Sequence, residues 1–261
     1  MSSLSNKIAL VTGASSGLGA DFARQLAREG AHLVLVARRK PLLEKIMSEI
    51  QALSPVKIYL IPMDLTEPGA LDKLEAEISK LGLQVDCLIN NAGYGLFGEF
   101  LDLNLEKQLN MIDLDIRILV ELSHRFGLKM KQRGSGYILH VASVGAYQAT
   151  PGYSVYCAAK AFVLSFGESM NFELKKYGVK VATLCPGITE TEFLQVSGQR
   201  LTPYQQRMMM KSSDVVHLGI QAMLQGRAIL TPGFGNKLIS FFNRFMPRSL
   251  QRSLAHQAMR N

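Results

Sequence analysis

Ser143, Tyr156 and Lys160 are the residues of this chain whose types and spacing best fit proton transfer. Tyr156 lies thirteen residues after Ser143 and four residues before Lys160, so the phenol and the amine share one face of a predicted helix. An unperturbed phenol has a pKa of about 10, and a cation one helical turn away favours the phenolate and lowers that pKa. The spacing therefore predicts a general acid acting on a carbonyl oxygen.

The Tyr-x-x-x-Lys spacing alone is common on surface helices, so a second signal must support it. Lys7 to Thr12 is an apolar run rich in β-formers, and Ala20 to Glu29 has the pattern of a helix. The turn between them, Gly13 to Gly19, has the spacing GxxxGxG rather than GxGxxG. Glycines at such a turn let the backbone approach a ligand closely, and the free amides of a helix start attract phosphate.

Five short motifs together resemble those of the classical short-chain dehydrogenase/reductase family. They are Thr12 to Gly19 (TGASSGLG), Asp64-Leu65, Asn90 to Gly93 (NNAG), Ser143 followed by Tyr156 to Lys160 (YCAAK), and Pro186 to Thr191 (PGITET). Each motif is weak alone, but their shared order and spacing are specific, and the resemblance covers nearly the whole chain. It implies a nicotinamide cofactor and hydride transfer to or from a carbonyl compound or alcohol.

The resemblance also implies where the cofactor lies. Asp64 is expected at the adenine, Asn91 beside the adenosine ribose, and Thr191 with the backbone of Ile188 at the nicotinamide end. For Asn90, direct contact and a structural bridge between two strands both stay open. The residues expected to bind the cofactor are Gly13, Ser15, Ser16, Gly17, Leu18, Gly19, Arg38, Arg39, Asp64, Leu65, Asn91, Ala92, Gly93, Tyr156, Lys160, Pro186, Gly187, Ile188 and Thr191.

The catalytic roles follow from the same resemblance. Tyr156 is expected to protonate the developing alkoxide, and Ser143 to donate a hydrogen bond that holds the oxygen. Lys160 is expected to lower the pKa of Tyr156 and to bind the nicotinamide ribose. Both hydroxyl donors act where negative charge grows, so they stabilise the transition state more than the ground state.

One catalytic position departs from the family pattern. The family has an asparagine on the helix before the fifth strand, thought to act through its main-chain carbonyl, and the segment MIDLDIRI has Asp115 there. The nearest amide, Asn110, is five residues away on a different helical face. Either the carboxylate is tolerated, or it attracts Lys160 and shifts the pH dependence of the site. We therefore keep Asp115 as an altered fourth catalytic residue.

Short apolar runs alternate with amphipathic helical patterns along the chain. This alternation predicts an α/β fold, a doubly wound, Rossmann-like parallel sheet of about seven strands in a single domain over residues 1–261. A chain of 261 residues with 48% hydrophobic content can bury one large core. Ligands of such sheets lie at the carboxyl edge. The predicted strands are 7–12, 32–37, 56–61, 85–89, 136–141, 179–184 and 228–230.

The end of the second predicted strand indicates which cofactor is preferred. A carboxylate there would favour NAD and repel the 2′-phosphate of NADP, but this chain has Ala37-Arg38-Arg39. Guanidinium groups pair well with phosphate. We expect NADPH to be preferred over NADH, with Arg38 as the main contact and Arg39 or Ser15 assisting. The alternative is that these arginines only begin the next helix as solvated residues.

Cysteine, histidine and the N-terminus indicate the environment of the protein. Cys87, Cys157 and Cys185 are far apart in apolar sequence, which predicts buried reduced thiols. The five histidines have no metal-ligand spacing, so we expect no metal. No signal peptide and no membrane span are recognisable, and a cytoplasmic location is expected.

Positive charge is concentrated near the C-terminus. Residues 197–261 hold nine Lys or Arg and one acid, so the excess that makes the net charge +8 lies there. By the resemblance, residues 192–213 form a segment that covers the substrate. Its Phe193, Leu194, Tyr204 and the run Met208 to Met210 form either a flexible apolar lining for a bulky or lipid-like substrate, or ordinary helix packing.

Residues 235–261 read as a basic amphipathic extension. Lys237 to Met246 is predicted to be one helix, with Leu238, Phe241, Phe242 and Phe245 on one face. Three interpretations stay open. The favoured one is packing within the fold or at a subunit contact; the others are a lid for an anionic or acyl substrate and contact with a membrane surface. No nucleic-acid reading module is recognisable.

These patterns predict an NADP-dependent carbonyl reductase or alcohol dehydrogenase. The alternatives are a regulatory protein that binds NADP without catalysis, and a membrane-surface-associated reductase of lipid or acyl ketones. The resemblance implies a homodimer or homotetramer. The substrate itself is not decided by the sequence, since the covering segment is too variable.

Overall fold

A seven-stranded parallel sheet forms the centre of the computed structural model, which describes residues 3–259 without the side chain of Tyr204. The strand order is β3-β2-β1-β4-β5-β6-β7, and every neighbouring pair is parallel. All seven predicted strands are present, with ends shifted by at most two residues. The strands are β1 (Ile8–Thr12), β2 (His32–Ala37), β3 (Ile58–Pro62), β4 (Val85–Asn90), β5 (Gly136–Val141), β6 (Val179–Leu184) and β7 (Ile229–Leu230).

Helices cover both faces of this sheet, as the doubly wound fold requires. The helices are α1 (Gly17–Arg28), α2 (Lys40–Gln51), α3 (Ala70–Lys80), α4 (Leu105–Ile112), α5 (Leu119–Arg133), α6 (Ser154–Lys175), α7 (Phe193–Ser197), α8 (Pro203–Arg207), α9 (Ser212–Gln225), α10 (Phe234–Phe242) and α11 (Arg248–Met259). One apolar cluster contains Phe22 of α1, Leu43 of α2 and Val216 of α9, and a second contains Leu74 of α3 and Phe126 of α5. A third, smaller cluster contains Val163 of α6.

The strand order reverses between β1 and β4. From β1 the chain continues outward to β2 and β3 on one side, whereas β4 begins the other half of the sheet. Such a switch point leaves a crevice at the carboxyl ends of the strands, where ligands of open α/β sheets bind. The predicted motifs follow this edge: Gly13 comes after β1, Asp64 after β3, Ser143 after β5 and Pro186 after β6.

The first helix begins at Gly17, three residues before the predicted start. Gly13 and Gly17 have φ values of 65° and 53°, in the left-handed region that favours glycine. Ser16 is the extended N-cap of the helix and makes no capping hydrogen bond with its side chain. Gly17 and Gly19, which precede the predicted helix, therefore form the first turn of α1, where backbone N–H groups have no partner within the helix.

Two further segments differ from simple helical patterns. Residues Asp113–Ile118 form a π-helix between α4 and α5, a wider turn that is frequent at functional sites.

The prediction of a single helix from Lys237 to Met246 is wrong in its bounds, because α10 already ends at Phe242 and α11 begins at Arg248. Pro247 lies in this break and disfavours helix in Met246, the residue before it.

Candidate active site

A cleft of about 1000 Å³ runs along the carboxyl edge of the sheet. It contains nearly all the residues that the sequence predicted for the site; Gly19 and Asp115 alone do not line it and instead lie behind its wall. The predicted residues along the cleft are Gly13, Ser15, Ser16, Gly17, Leu18, Arg38, Arg39, Asp64, Leu65, Asn91, Ala92, Gly93, Ser143, Tyr156, Lys160, Pro186, Gly187, Ile188 and Thr191. Motifs more than a hundred residues apart in sequence thus meet in one cleft.

Gly19 is needed for the close packing of the glycine turn. A Cβ at this position would overlap the carbonyl oxygen of Gly13 and lie 2.6 Å from Nδ2 of Asn91. That amide nitrogen donates a hydrogen bond of 2.9 Å to the carbonyl of Thr12, and the Asn91 backbone N–H donates to the Thr12 hydroxyl at 3.1 Å. The Asn91 side chain therefore joins β4 to β1 and holds the wall of the cleft at the switch point.

Asn90 has a structural position rather than a place in the cleft. Its side chain is buried, and its amide nitrogen donates to the hydroxyl of Ser123 at 2.9 Å and lies 3.2 Å from Nδ1 of His140. Of the two interpretations left open for this residue, the geometry supports the bridge and contradicts direct contact with a ligand in the cleft. The reason is the alternation of side chains along a strand, which turns the last residue of β4 away from the crevice.

Arg38 and Asp64 face each other at one end of the cleft. The guanidinium of Arg38 is largely exposed and lies 3.5 Å from the Asp64 carboxylate. Partial burial opposes ionisation of Asp64, but hydrogen bonds from the backbone and hydroxyl of Thr66, together with Arg38, outweigh it and hold the pKa of Asp64 below its ordinary value. Asp64 is thus a carboxylate held by hydrogen bonds, and Arg38 is an exposed cation beside it.

Arg39 spans the cleft from the glycine turn to the segment after Thr191. Its guanidinium donates to the Ser16 hydroxyl at 2.8 Å and to Ser15 at 3.3 Å, and it pairs with Glu192 at 2.8 Å. The hydrogen bond from Arg39 and one from Ser16 hold the pKa of Glu192 below its ordinary value. The ion pair of Arg39 and Glu192 could not be predicted from the sequence, because the two residues are 153 positions apart.

Ser143 and Tyr156 meet near the middle of the cleft. Ser143 is the N-cap of a short 3₁₀ helix, Val144–Tyr147, directly after β5, and its hydroxyl accepts a hydrogen bond of 3.1 Å from the backbone of Gly145. Tyr156 lies in the first turn of α6. A Cβ at Gly145 would lie 2.9 Å from Sγ of Cys157, and at ordinary contact distances of 3.5 Å from the Ser143 hydroxyl and 3.9 Å from the Tyr156 ring.

Lys160 is buried below Tyr156. Its ammonium donates to the carbonyl of Val141 at 3.1 Å, lies 3.4 Å from the Asp115 carboxylate, and is 5.7 Å from the centre of the Tyr156 ring. The pair one helical turn apart is therefore present as predicted. The ammonium, however, faces a carboxylate of opposite charge as well as the phenol.

The predicted lowering of the Tyr156 pKa is wrong for this structure. Burial of the phenol raises the pKa of Tyr156 above its ordinary value, the Asp115 carboxylate adds to the increase, and the hydrogen bond with Ser143 opposes it only in part. The prediction considered Lys160 alone. In the folded chain Asp115 balances the lysine charge, which could not be inferred from the spacing of Tyr156 and Lys160.

Asp115 is fully buried on the π-helix. Burial raises the pKa of Asp115 to about 6, although Lys160 and the backbone N–H of Tyr94 oppose the increase. Gly93 gives it room, since a Cβ at Gly93 would overlap the carboxylate. Of the two outcomes expected for this departure from the family pattern, the geometry supports attraction of Lys160.

A chain of hydrogen bonds that the sequence analysis missed runs along the cleft wall. The Thr66 hydroxyl donates to Asp64 at 2.7 Å and accepts from the amide of Asn110 at 3.0 Å, and the Asn110 carbonyl oxygen lies 3.0 Å from the hydroxyl of Tyr94. Asn110 was set aside because it cannot replace Asp115, yet it lines the cleft itself. The sequence offers one signal for this chain of hydrogen bonds, because Tyr94 directly follows the NNAG motif.

Comparison with known proteins agrees with this geometry. A family model described as short chain dehydrogenase matches residues 7–201. The chain belongs to the short-chain dehydrogenase family. An uncharacterised oxidoreductase of Staphylococcus epidermidis is 30% identical over 226 residues, which are 86% of this chain and 94% of the relative.

Two solved structures of short-chain dehydrogenase type illustrate the similarity. One is a short-chain dehydrogenase from Sphingobium yanoikuyae in complex with NADPH, 29% identical, with a TM-score of 0.82 over 92% of this chain and 93% of that one. The other is a 3-ketoacyl-(acyl-carrier-protein) reductase from Brucella melitensis complexed with NADH, 27% identical, with a TM-score of 0.78 over 90% and 99%. The doubly wound fold and the oxidoreductase family predicted from the motifs are thereby confirmed.

The remaining part of this short-chain dehydrogenase cleft is lined by aromatic and other apolar side chains together with uncharged polar ones, among them Gln148, Gln199 and Asn243. Ring centres lie 5.1 Å apart for Phe97 and Tyr153, 5.5 Å for Tyr153 and Tyr156, and 5.3 Å for Tyr156 and Phe193. Of the two ring partners of Tyr156, Tyr153 and Phe193, only Phe193 was predicted from the sequence. The rings of Tyr153, Tyr156 and Phe193 line this part of the cleft, and Phe97 packs behind Tyr153.

The run Met208 to Met210 lines the cleft only in part, whereas one of the two interpretations of the sequence made it an apolar lining for the substrate. Met208 lines the cleft together with Leu194. Met210 instead forms a parallel bridge with Thr189 and packs on the core of α1 and α9. The side chain of Tyr204 lies outside the part of the chain that the structure describes. The run is therefore partly lining and partly packing.

The C-terminal helices close the chamber of this family member. Ile239 and Asn243 of the α10 region and Met259 of α11 line the cleft. The Asn243 amide donates to Gln148 at 2.6 Å, and the Gln205 amide donates to the carbonyl of Ala258 at 3.0 Å. The inner side of the extension thus forms part of the wall of the cleft, and the lid interpretation stays a prediction.

Proposed function

We propose that this short-chain dehydrogenase is a carbonyl reductase or alcohol dehydrogenase that uses NADP, with NADPH preferred over NADH. The observation that carries the proposal is that one continuous cleft joins Arg38 and the glycine turn at one end to Ser143, Tyr156 and Lys160 at the other. A nucleotide-binding end and a proton-donating end on one cleft are the two parts that hydride transfer to a carbonyl requires.

The residues of the cleft fit a dinucleotide. The N-terminus of α1 has free backbone amides and no side-chain cap, which suits a phosphate. Arg38 and Ser15 lie where a 2′-phosphate can be paired, and no acid occupies the end of β2. Asp64 would face the adenine, while Thr191 and the backbone of Ile188 would hold the nicotinamide end. When bound, this cofactor supplies the hydride.

The state of Tyr156 favours the reductive direction. Because burial raises its pKa, the phenol is protonated at neutral pH and can donate its proton to the developing alkoxide. Ser143 would hold the substrate oxygen, and the two hydroxyl groups would act together where negative charge grows. Lys160 then stabilises the phenolate that remains, so its charge is needed after the transfer more than before it.

The chamber supports an apolar, bulky substrate. The rings of Tyr153 and Phe193 and the side chains of Ile239 and Met259 enclose the space in front of Tyr156. None of these four side chains is charged, so they offer no cation that could pair with an anionic group on the substrate. We infer a ketone or secondary alcohol with a large hydrocarbon part, and a homodimer or homotetramer remains the proposed assembly.

A matched pair of tyrosine variants tests the proposal. Carbonyl compounds of increasing size are screened by the loss of NADPH absorbance, and the screen is repeated with NADH. Tyr156→Phe should lower turnover by about a hundred- to ten-thousandfold while NADPH binding, followed by fluorescence, stays nearly unchanged. Tyr153→Phe removes the neighbouring hydroxyl, which bonds Ser197 and Gln199, and should keep most activity. Full activity in Tyr156→Phe would end this mechanism.

A further inference from the structure

Helix α10 has two faces that point to different surroundings. Asn236, Ile239 and Asn243, spaced by three and four residues, line the substrate chamber. Phe234, Leu238 and Phe241, spaced by four and three, lie on the opposite side of the helix. Phe245 lies in the turn after the helix, and its ring continues this stripe by contact with Phe241. We call these last four residues the aromatic patch. One side of the helix thus serves the cleft, and the other has no such role.

The aromatic patch is exposed to solvent. Phe234 is 81% exposed, Phe245 73% and Phe241 53%, and no residue of α10 is buried. The rings of Phe241 and Phe245 contact each other, with centres 5.3 Å apart. The interpretation that this face packs within the fold is therefore wrong. Contiguous exposed aromatic residues mark a surface that contacts something else.

Cations surround the aromatic patch. Lys237, Arg244, Arg248 and Arg252 are all exposed, and within residues 3–259 none of them forms an ion pair. Residues 235–261 contain no Asp or Glu. An exposed apolar stripe bordered by unpaired cations is complementary to a surface that is apolar inside and anionic outside.

We propose that the aromatic patch and its four cations dock on the surface of an anionic lipid bilayer. The phenylalanine rings enter the boundary between headgroups and acyl chains, and the cations contact the lipid phosphates. Within residues 3–259 no helix is long and apolar enough to cross a bilayer. The contact is therefore interfacial.

A second copy of the chain is a poorer occupant of this surface. In a two-fold symmetric dimer the same patch meets itself. The four cations of one copy would then face the four of the other without an acid in residues 235–261 to balance them, and opposed like charges are unfavourable. An anionic bilayer removes this repulsion. Charge thus favours lipid over self-association.

Docking by α10 would bring the substrate chamber close to the lipid, because the inner side of the same helix lines it. An apolar ketone dissolved in the bilayer could then enter beside Ile239 without crossing bulk water. Docking on lipid goes beyond the proposed function. Vesicle binding can be measured without catalysis, so its result is independent of whether the protein is a carbonyl reductase.

Vesicle flotation with the full chain tests the proposal. Vesicles of phosphatidylcholine alone are compared with equal parts of phosphatidylcholine and phosphatidylglycerol, at low and high salt. We expect binding to the anionic vesicles that is at least about tenfold stronger than to the neutral ones and that falls with salt. Equal binding to both, or no binding to either, would overturn the proposal.

Three variants separate the contributions. Phe241→Ser with Phe245→Ser should weaken binding by about tenfold or more, and Lys237→Gln with Arg244→Gln should do the same. Leu53→Ser is the control, because Leu53 is 74% exposed but follows α2 at the amino edge of the sheet. NADPH binding and thermal midpoint check that each variant is folded.

Self-association is the competing outcome. Sedimentation velocity of the same variants shows whether the patch holds two copies together. If the phenylalanine variant changes a dimer into a monomer and leaves vesicle binding unchanged, the surface is a subunit contact and the lipid proposal is wrong. An unchanged assembly with lost vesicle binding supports it.

Discussion

The Lys160 ammonium lies 3.4 Å from the carboxylate of Asp115, and both side chains are buried beneath the cleft. The distance is longer than an ideal charge-assisted hydrogen bond, and within residues 3–259 neither carboxylate oxygen has a hydrogen-bond partner of good geometry. This pair lies directly below the candidate acid, Tyr156. The ionisation of Asp115 therefore controls how much of the lysine charge reaches the phenol.

The stability of the protein should depend on Asp115 in weakly acidic solution. Burial raises the pKa of Asp115 to about 6, above its ordinary value, so the folded chain holds a proton that the unfolded chain releases. The stabilising contribution is complete below the ordinary carboxyl pKa and is lost as the pH rises through about 6. We expect a loss of about 3 kcal/mol over this window.

Urea unfolding from about pH 4 to 7, compared with the Asp115→Asn variant, measures this loss. Asp115→Asn should not lose unfolding free energy over this pH range. Its free energy of unfolding relative to that of the original chain should therefore rise with pH. Asp113→Asn is the control, because Asp113 is an exposed residue of the same π-helix that pairs with Arg117 at 2.7 Å. Parallel pH curves for the original chain and Asp115→Asn would contradict the raised pKa.

Asp115→Asn should also shift the pH profile of carbonyl reduction. The Asp115 carboxylate raises the pKa of Tyr156, so its removal lets Lys160 lower that pKa. Reduction requires the protonated phenol, and its rate falls when the phenol ionises. The alkaline fall of kcat/KM should therefore begin at lower pH in the variant. A shift to higher pH would show that the Asp115 charge does not act on Tyr156.

Arg38→Ala should weaken the preference for NADPH. The Arg38 side chain is 71% exposed, and within the described residues 3–259 its one ion pair is the 3.5 Å contact with Asp64, so it can pair with a 2′-phosphate. Loss of a charge-assisted hydrogen bond should raise the KM for NADPH by about ten- to a hundredfold and change the KM for NADH little. Lys40→Ala, which removes a cation paired with Glu44 at 3.7 Å, is the control. An equal effect on both cofactors would assign Arg38 a structural role.

Glu192→Gln should strengthen NADPH binding. The Glu192 carboxylate pairs with Arg39 at 2.8 Å beside the glycine turn, where phosphate is expected, and it competes with that phosphate for the guanidinium. Because the pair is half exposed, the KM for NADPH should fall by only about two- to fivefold. Initial rates at low salt give the measurement, and Glu44→Gln is the control. A weaker affinity for NADPH would mean that Glu192 itself holds the cofactor.

Two helical glycines should respond oppositely to alanine. Gly19→Ala places a methyl group against the Gly13 carbonyl and 2.6 Å from Asn91, which should cost about 1–3 kcal/mol and impair NADPH binding. Gly127→Ala in α5 meets its nearest atoms at 3.6 to 3.9 Å and should stabilise the chain by up to about 1 kcal/mol. Thermal unfolding measures both. Tolerance of Gly19→Ala would contradict the tight packing of the turn.

The fold and most of the cleft could be predicted because their signals are local. Apolar runs of five or six residues mark strands, and the motifs follow the strands whose carboxyl ends form one edge. The bounds of α10 could not be predicted from hydrophobic spacing, since Phe245 continues the stripe of Phe241 past the helix end. The role of Asn90 also stayed open, because strand alternation assigns a face but not which face lines the cleft.

The sequence by itself determined the doubly wound sheet, the family and the residues that meet along the cleft, because strand patterns and glycine positions act over a few neighbouring residues. Only the tertiary structure decided the charges around them. Asp115 reaches Lys160, and Glu192 reaches Arg39, through folding that joins distant segments. Burial then reversed the predicted direction of the Tyr156 pKa, since the removal of a phenol from water depends on what surrounds it and not on its place in the chain.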